Sequence, residues 1–232
     1  MKNEKEILDD LIEISDKEYK EFHSKLSPET DKILGVRVPL LKKYAKQFLK
    51  NDDWQESFNN IGDSYNEEKM LKGIIIGMSK IEPQEKLNYL EQIIPCIDSW
   101  SACDIICGTM KFAKTSQELV WNFLEKYVKS EKEFEVRFAV VMYLGYFIND
   151  NYLDKVINEL NNINRKEYYI KMAIAWAISI IIVKYPEKGM QYLKSEENKL
   201  DDFTYNMSIQ KAIDSFRVSD DKKQELRGIK RR

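Results

Sequence analysis

Ala173-Ile174-Ala175-Trp176-Ala177-Ile178-Ser179-Ile180-Ile181-Ile182-Val183 is the longest apolar run in the chain. It is too short for a membrane span and suits a buried core helix. Outward from it, apolar residues recur at three- and four-residue spacing through most of the sequence, and short polar or Gly/Pro breaks divide the pattern. Strand-like alternation is nowhere sustained. Only 8 glycines and 5 prolines punctuate 232 residues, sparse for a β protein with frequent turns, whereas Leu, Lys, Glu, Ile and Ala are plentiful. The expected fold class is all-α.

The pattern predicts helices near 4–24, 39–50, 54–60, 66–79, 83–94, 100–112, 116–128, 133–148, 151–160, 165–184, 187–195, 203–216 and 220–227. Pro39 suits a first helical turn, Ser116 can cap the helix that follows it, and Pro186 ends the run that includes Tyr185. Connectors this short imply antiparallel neighbours. Helix pairs in series suggest a HEAT-like α-helical repeat solenoid, whose unit is about 40–47 residues. The intervals Trp100 to Arg137 and Arg137 to Trp176, 37 and 39 residues, would put equivalent positions of successive repeats on one surface. With 43% hydrophobic residues the chain can bury one substantial core. The expectation is a single helical-repeat domain over 1–232; a non-repeating bundle is the alternative.

The overall charge of −2 sits awkwardly with nucleic-acid binding, which draws on lysines and arginines that neutralise phosphates. The distribution is uneven. From about 222 a tail carries Lys222, Lys223, Arg227, Lys230, Arg231 and Arg232 against Glu225 alone, a net +5 that leaves −7 for residues 1–221. Such a tail either binds phosphate or frays, as chain ends do. Met1 to Lys20 is thick with acids and lysines, unlike a secretion signal. Cys96, Cys103 and Cys107 make an odd count, so reduced thiols in a cytoplasmic protein are the natural reading. Those thiols and the distant His23 are too few for a comfortable zinc site.

Three local features carry chemistry. In Ser99-Trp100-Ser101-Ala102-Cys103-Asp104 the four-residue interval places an indole and a carboxylate on one helix face, which continues through Gly108 and Lys111. A half-buried Trp beside a solvated Asp also explains the spacing, and spacing alone favours it. Arg137 opens an otherwise apolar helix, so its guanidinium either pairs with a carboxylate inside the fold or projects its fork toward a phosphate. Trp176, with small neighbours Ala173 and Ser179 on its face, reads as a core aromatic or as a surface offered to a ligand.

Four stretches together resemble the AlkD-type DNA alkylation-repair enzymes, which are HEAT-like helical repeat glycosylases. These are Ile33-Leu34-Gly35-Val36-Arg37-Val38-Pro39 followed by a basic helix with Ala45-Lys46; Ser99-Trp100 with Asp104; Val136-Arg137; and Ala173-Ile174-Ala175-Trp176-Ala177. They span most of the chain, and their order and separations match the family's. The resemblance implies Asp104, Trp100 and Trp176 as catalytic residues and Arg137 as a DNA-binding residue. It implies hydrolysis of the N-glycosidic bond of cationic N3- or N7-alkylated purines in duplex DNA, without extrusion of the base. It implies no metal or organic cofactor. The expected partner is double-stranded DNA containing alkylated bases, with no membrane partner, and the expected state is a monomer. Ser99 stands where the family more often has an amide. The acidic balance favours an alternative, a non-catalytic HEAT-repeat module that binds unusual DNA or a protein partner.

Overall fold

The computed structural model describes residues 2–30 and 32–231, so Arg232 of the basic tail lies outside the described residues. Among the described residues there are 14 α-helices and no strand. The chain falls into two compact units, Met1–Phe123 and Leu124–Arg232.

The first unit holds α1 (Glu4–Glu13), α2 (Lys17–Leu26), α3 (Val38–Phe48), α4 (Trp54–Phe58), α5 (Asn66–Met78), α6 (Pro83–Ile93) and α7 (Trp100–Thr109), with the start of α8 (Gln117–Val128). The helix expected over 4–24 is two helices, because the chain turns at Ile14–Asp16. Ser15 Oγ donates to the Ile12 carbonyl (2.7 Å), the Asp16 carboxylate caps α2 by accepting from Tyr19 N (3.0 Å), and Asp16 N donates to the Gly35 carbonyl (3.0 Å). Gly35 has φ +96°, and a Cβ there would stand 2.6 Å from the Asp16 carbonyl oxygen. Only glycine tolerates both the left-handed backbone and the close approach.

Residues 33–37 follow without regular structure, and a buried carboxylate organises them. Glu67 is fully buried on α5 and accepts from Leu34 N (2.9 Å), Gly35 N (2.8 Å) and Val36 N (3.2 Å). Those three donors would otherwise be buried without partners, which costs about 1–3 kcal/mol each. Pro39 lies in the first turn of α3, as expected. Layers then stack: α3 packs on α5, α5 on α7, and α6 lies against α5. Gly73 and Gly77 let α5 approach α7 closely, since Cβ atoms there would sit 2.5 Å from Ile106 and 2.6 Å from Thr109.

The second unit holds α9 (Glu133–Tyr146), α10 (Leu153–Asn162), α11 (Tyr168–Lys184), α12 (Pro186–Lys194), α13 (Asp202–Ile213) and α14 (Asp220–Gly228). Here α11 packs on both α9 and α13, with α12 beside α11. Its core joins Phe138 and Ala139 of α9, Ala175 and Ile178 of α11, and Ile209 of α13, all buried. Burying each aliphatic or aromatic side chain contributes roughly 1.5–3 kcal/mol. Tyr185 and Pro186 separate α11 from α12, as the proline predicted.

Stacking of alternate helices within each unit is the packing of a helical repeat, and the fold is all-α as expected. The helices α5, α7, α9, α11 and α13 begin at 66, 100, 133, 168 and 202, steps of 33–35 residues. This step is shorter than the HEAT unit set out above, because the helices are short and the connectors tight. The basic tail does not fray through residue 231. Asn206 exchanges two 2.9 Å hydrogen bonds with the Arg231 backbone, and the Arg231 guanidinium lies 4.0 Å from the Tyr205 ring centre. Lys222 bonds Glu225 (3.0 Å), whose other oxygen bonds Lys194 (2.7 Å).

Candidate functional site

Trp100 is the first residue of α7, and a buried polar cluster sets that start. Ser99 has extended backbone, and its Oγ accepts from Ala102 N (3.1 Å) while donating to Asn66 Oδ1 (2.6 Å). Asn66 Nδ2 donates to Ser101 Oγ (2.9 Å), and the Ser27 hydroxyl approaches the same oxygen at 3.5 Å. All four residues are buried. Such a network is stable because each member satisfies another, and removing one strands the rest. An amide therefore does stand beside position 99, supplied by α5 rather than by the residue before Trp100.

Trp100 is held by the end of α2 and the turn that follows it. Its indole N–H donates to the Leu26 carbonyl (3.1 Å), and its backbone N–H donates to the Glu29 carboxylate (3.2 Å). Trp100 remains half-buried, as does Asp104 one turn later on the same helix. At Gly108, one turn further, the surface is open: it is exposed, and a Cβ would meet nothing within 4 Å. The face does not continue helically to Lys111. The helix ends at Thr109, whose hydroxyl donates to the Ile106 carbonyl (2.7 Å), and exposed Lys111 begins a 3-10 turn. Cys103 and Cys107 are buried, and Cys96 is half-buried with its thiol 3.4 Å from Asp63; burial pushes that thiol's pKa up.

One further group lies in this unit. His23 of α2 is 7% exposed, its Nδ1 has no hydrogen-bond partner among the described residues, and its ring centre is 5.6 Å from that of Tyr19. Burial holds its pKa below the ordinary histidine value against the opposing pull of Glu67 and Glu29.

In the second unit Arg137 is 5% exposed, and its Nη1 donates to the Tyr169 carbonyl in the first turn of α11 (2.8 Å). Glu133, one turn before it, accepts from Tyr169 N (2.8 Å). The two α9 side chains thus hold both backbone groups of one residue, securing a helix start that has no side-chain cap of its own. A backbone carbonyl is a partner that the sequence reading, which weighed a carboxylate against a phosphate, did not name. Trp176 stands mid-helix and half-buried, and its carbonyl accepts from Ser179 Oγ (2.7 Å).

Helix register revises the idea of equivalent repeat positions. Trp100 is residue 1 of α7, Asp104 and Arg137 are residue 5 of α7 and α9, and Trp176 is residue 9 of α11. Only Asp104 and Arg137 share a register; the tryptophans stand one turn before it and one turn after. Each four-residue offset advances the position about 6 Å along its helix. The sequence reading missed Asn66, Ser101, Leu26 and Glu29. Ser99-X-Ser101 hinted at a polar helix start, but nothing in the spacing linked residues 26–29 or 66 to it.

The class these features define is an all-α helical-repeat protein with a Trp–Asp pair at the head of one helix. The model of the DNA alkylation repair enzyme family matches residues 7–212. The chain belongs to that family, and its role is in DNA repair. Comparisons with curated proteins and with solved structures found no match. Among the described residues no helix is long and apolar enough to cross a membrane.

Proposed function

We propose that the protein is a DNA glycosylase hydrolysing the N-glycosidic bond of cationic N3- or N7-alkylated purines in duplex DNA, without flipping the base. Trp100 held by Leu26 and Glu29, with Asp104 one turn on and open space at Gly108, is the observation that carries this reading. An alkylated purine is already cationic. When the bond breaks, its electron pair goes to the base, which leaves neutral, so no strong general acid is required. The sugar is left as an oxocarbenium-like cation. The Asp104 carboxylate stabilises that charge and orients the water that adds to the anomeric carbon.

Trp100 and Trp176 pack on the deoxyribose and exclude bulk water, and their π faces attract the cationic lesion. Arg137 serves the phosphate adjacent to the lesion, in addition to its bond to Tyr169. The experiment is release of 7-methylguanine or 3-methyladenine from methylated duplex DNA. Asp104→Asn should lower the rate about 100- to 1000-fold at unchanged folding; excision that survives the substitution overturns the role of Asp104. The buried Arg137 and the net charge of −2 favour a second reading, a non-catalytic module for unusual DNA or a protein partner. Salt-dependent duplex binding without base release would select its DNA version.

A further inference from the structure

The starts of α9, α11 and α13 in the second unit carry a row of aromatic rings that the core does not absorb. Phe134 and Tyr169 have ring centres 5.5 Å apart, Tyr169 and Tyr168 5.2 Å, and Tyr168 and Phe203 6.1 Å. The row runs outward: Tyr168 is 56% and Phe203 42% exposed. Two neighbouring rings left about half in water are the mark of a surface kept for contact.

Beside the rings opens a cavity of about 400 Å³ lined by Arg165, Lys166, Lys171, Lys199, Asp201 and Thr204. Four cations face one carboxylate in a chain whose overall charge is negative. Asp201 is already engaged, accepting from Thr204 Oγ1 (2.6 Å) and from the Lys171 ammonium (3.2 Å). Arg165 is held in place by Glu167 and the Glu131 carbonyl, and Lys199 by Asn162 (3.0 Å). Lys171 joins the two features, since its ammonium also lies 5.8 Å from the Phe203 ring centre. Among the described residues the Lys166 ammonium has no partner, which leaves it available to an incoming anion.

Exposed rings in a row beside a fixed cationic cavity match the chemistry of unpaired nucleotides: bases stack on aromatic faces while phosphates sit on lysine and arginine. A duplex keeps its bases stacked on one another and leaves the rings nothing to do. We propose that the α9–α11–α13 edge is a second nucleic-acid surface, which binds a single-stranded segment through Tyr168 and Phe203 for the bases and Lys166 and Lys171 for the phosphates. The Tyr169 carbonyl of this row accepts from Arg137, but Tyr168 and Phe203 have no part in the excision chemistry proposed above.

The test is fluorescence anisotropy of a labelled oligothymidylate of about ten nucleotides, a length within the usual site size of such surfaces, titrated with the full chain. Tyr168→Ala and Phe203→Ala should each weaken binding about 5- to 150-fold, as loss of one stacked base does. Lys166→Gln should reduce the salt slope by about 0.7. Phe203→Leu keeps apolar volume but removes the aromatic face, so it too should weaken binding; melting temperatures of all four variants should match the parent. Base release from alkylated duplex should be unchanged in Tyr168→Ala. Affinity indifferent to both aromatic substitutions overturns the proposal. So does equal competition by polyglutamate, which would assign the edge to an acidic protein, or preference for a duplex of the same length.

Discussion

Helices α7 and α11 each present a half-buried tryptophan, yet they hold it by opposite means. At α7 the tryptophan begins the helix, and polar groups hold it: a buried amide and three hydroxyls beneath, a carbonyl on the indole N–H and a carboxylate on the backbone N–H. At α11 the tryptophan sits eight residues in, among Ala173, Ala175, Ala177 and Ile178, while Arg137 and Glu133 hold the helix start two turns away. Polar anchoring fixes orientation and fails all at once when a member is removed, whereas apolar packing fixes position and fails in proportion to the volume lost. The two helices should therefore respond differently to the same kinds of change.

The sharpest break is at the polar starts. Arg137→Met removes the charged donor that ties α9 to the Tyr169 carbonyl, so it should cost about 3 kcal/mol. In thermal unfolding that is a drop of roughly 6–12 °C; a loss under a degree would mean that α11 does not depend on α9 for its start. Asn66→Ala leaves Ser99 and Ser101 without their buried partner, at about 2 kcal/mol, and the indole fluorescence of Trp100 should shift as α7 loses its anchor. If the fluorescence stays while stability falls, the cluster supports the fold without orienting the ring.

The direct comparison is Trp100→Phe against Trp176→Phe. Both lose similar ring area, but among the described residues only the first gives up a side-chain hydrogen bond, to Leu26, so it should be worse by about 1 kcal/mol in chemical denaturation. Equal losses would erase the distinction. The smallest effect is in pH. His23 is buried near Glu67 and Glu29 with its pKa lowered, so below about 6.5 the unfolded chain takes up a proton that the folded chain resists. Stability is full above that pH and falls as the pH drops through it toward the folded-state value. Melting temperature followed between about pH 8 and 5 should show this slope in the parent and lose it in His23→Gln.

Much of the fold was legible because helices announce themselves locally. The 3.6-residue periodicity, the prolines at 39 and 186 and the apolar run at 173–183 each depend on near neighbours in sequence. The split between α1 and α2 was not legible, because the apolar pattern runs through Ile14; what ends α1 is a turn pressed against Gly35 and closed by Asp16. The Trp100–Asp104 pair was legible as an i, i+4 interval. The supports beneath it were not, since Leu26, Glu29 and Asn66 meet the start of α7 from 33 to 74 residues away.

The sequence by itself determined an all-α fold, the helix that carries Trp100 with Asp104, and the excess of positive charge from residue 222, because each is a matter of composition or short-range spacing. Only the tertiary structure decided which polar groups hold those elements. The Glu67 carboxylate under residues 34–36, the Asn66 amide under Ser99, the Tyr169 carbonyl on Arg137 and the docking of Arg231 all join distant positions. The physical reason is that buried hydrogen-bonding groups must be satisfied by whatever the folded chain brings within about 3 Å. Periodicity records which face turns inward, and carries no information on which partner waits there.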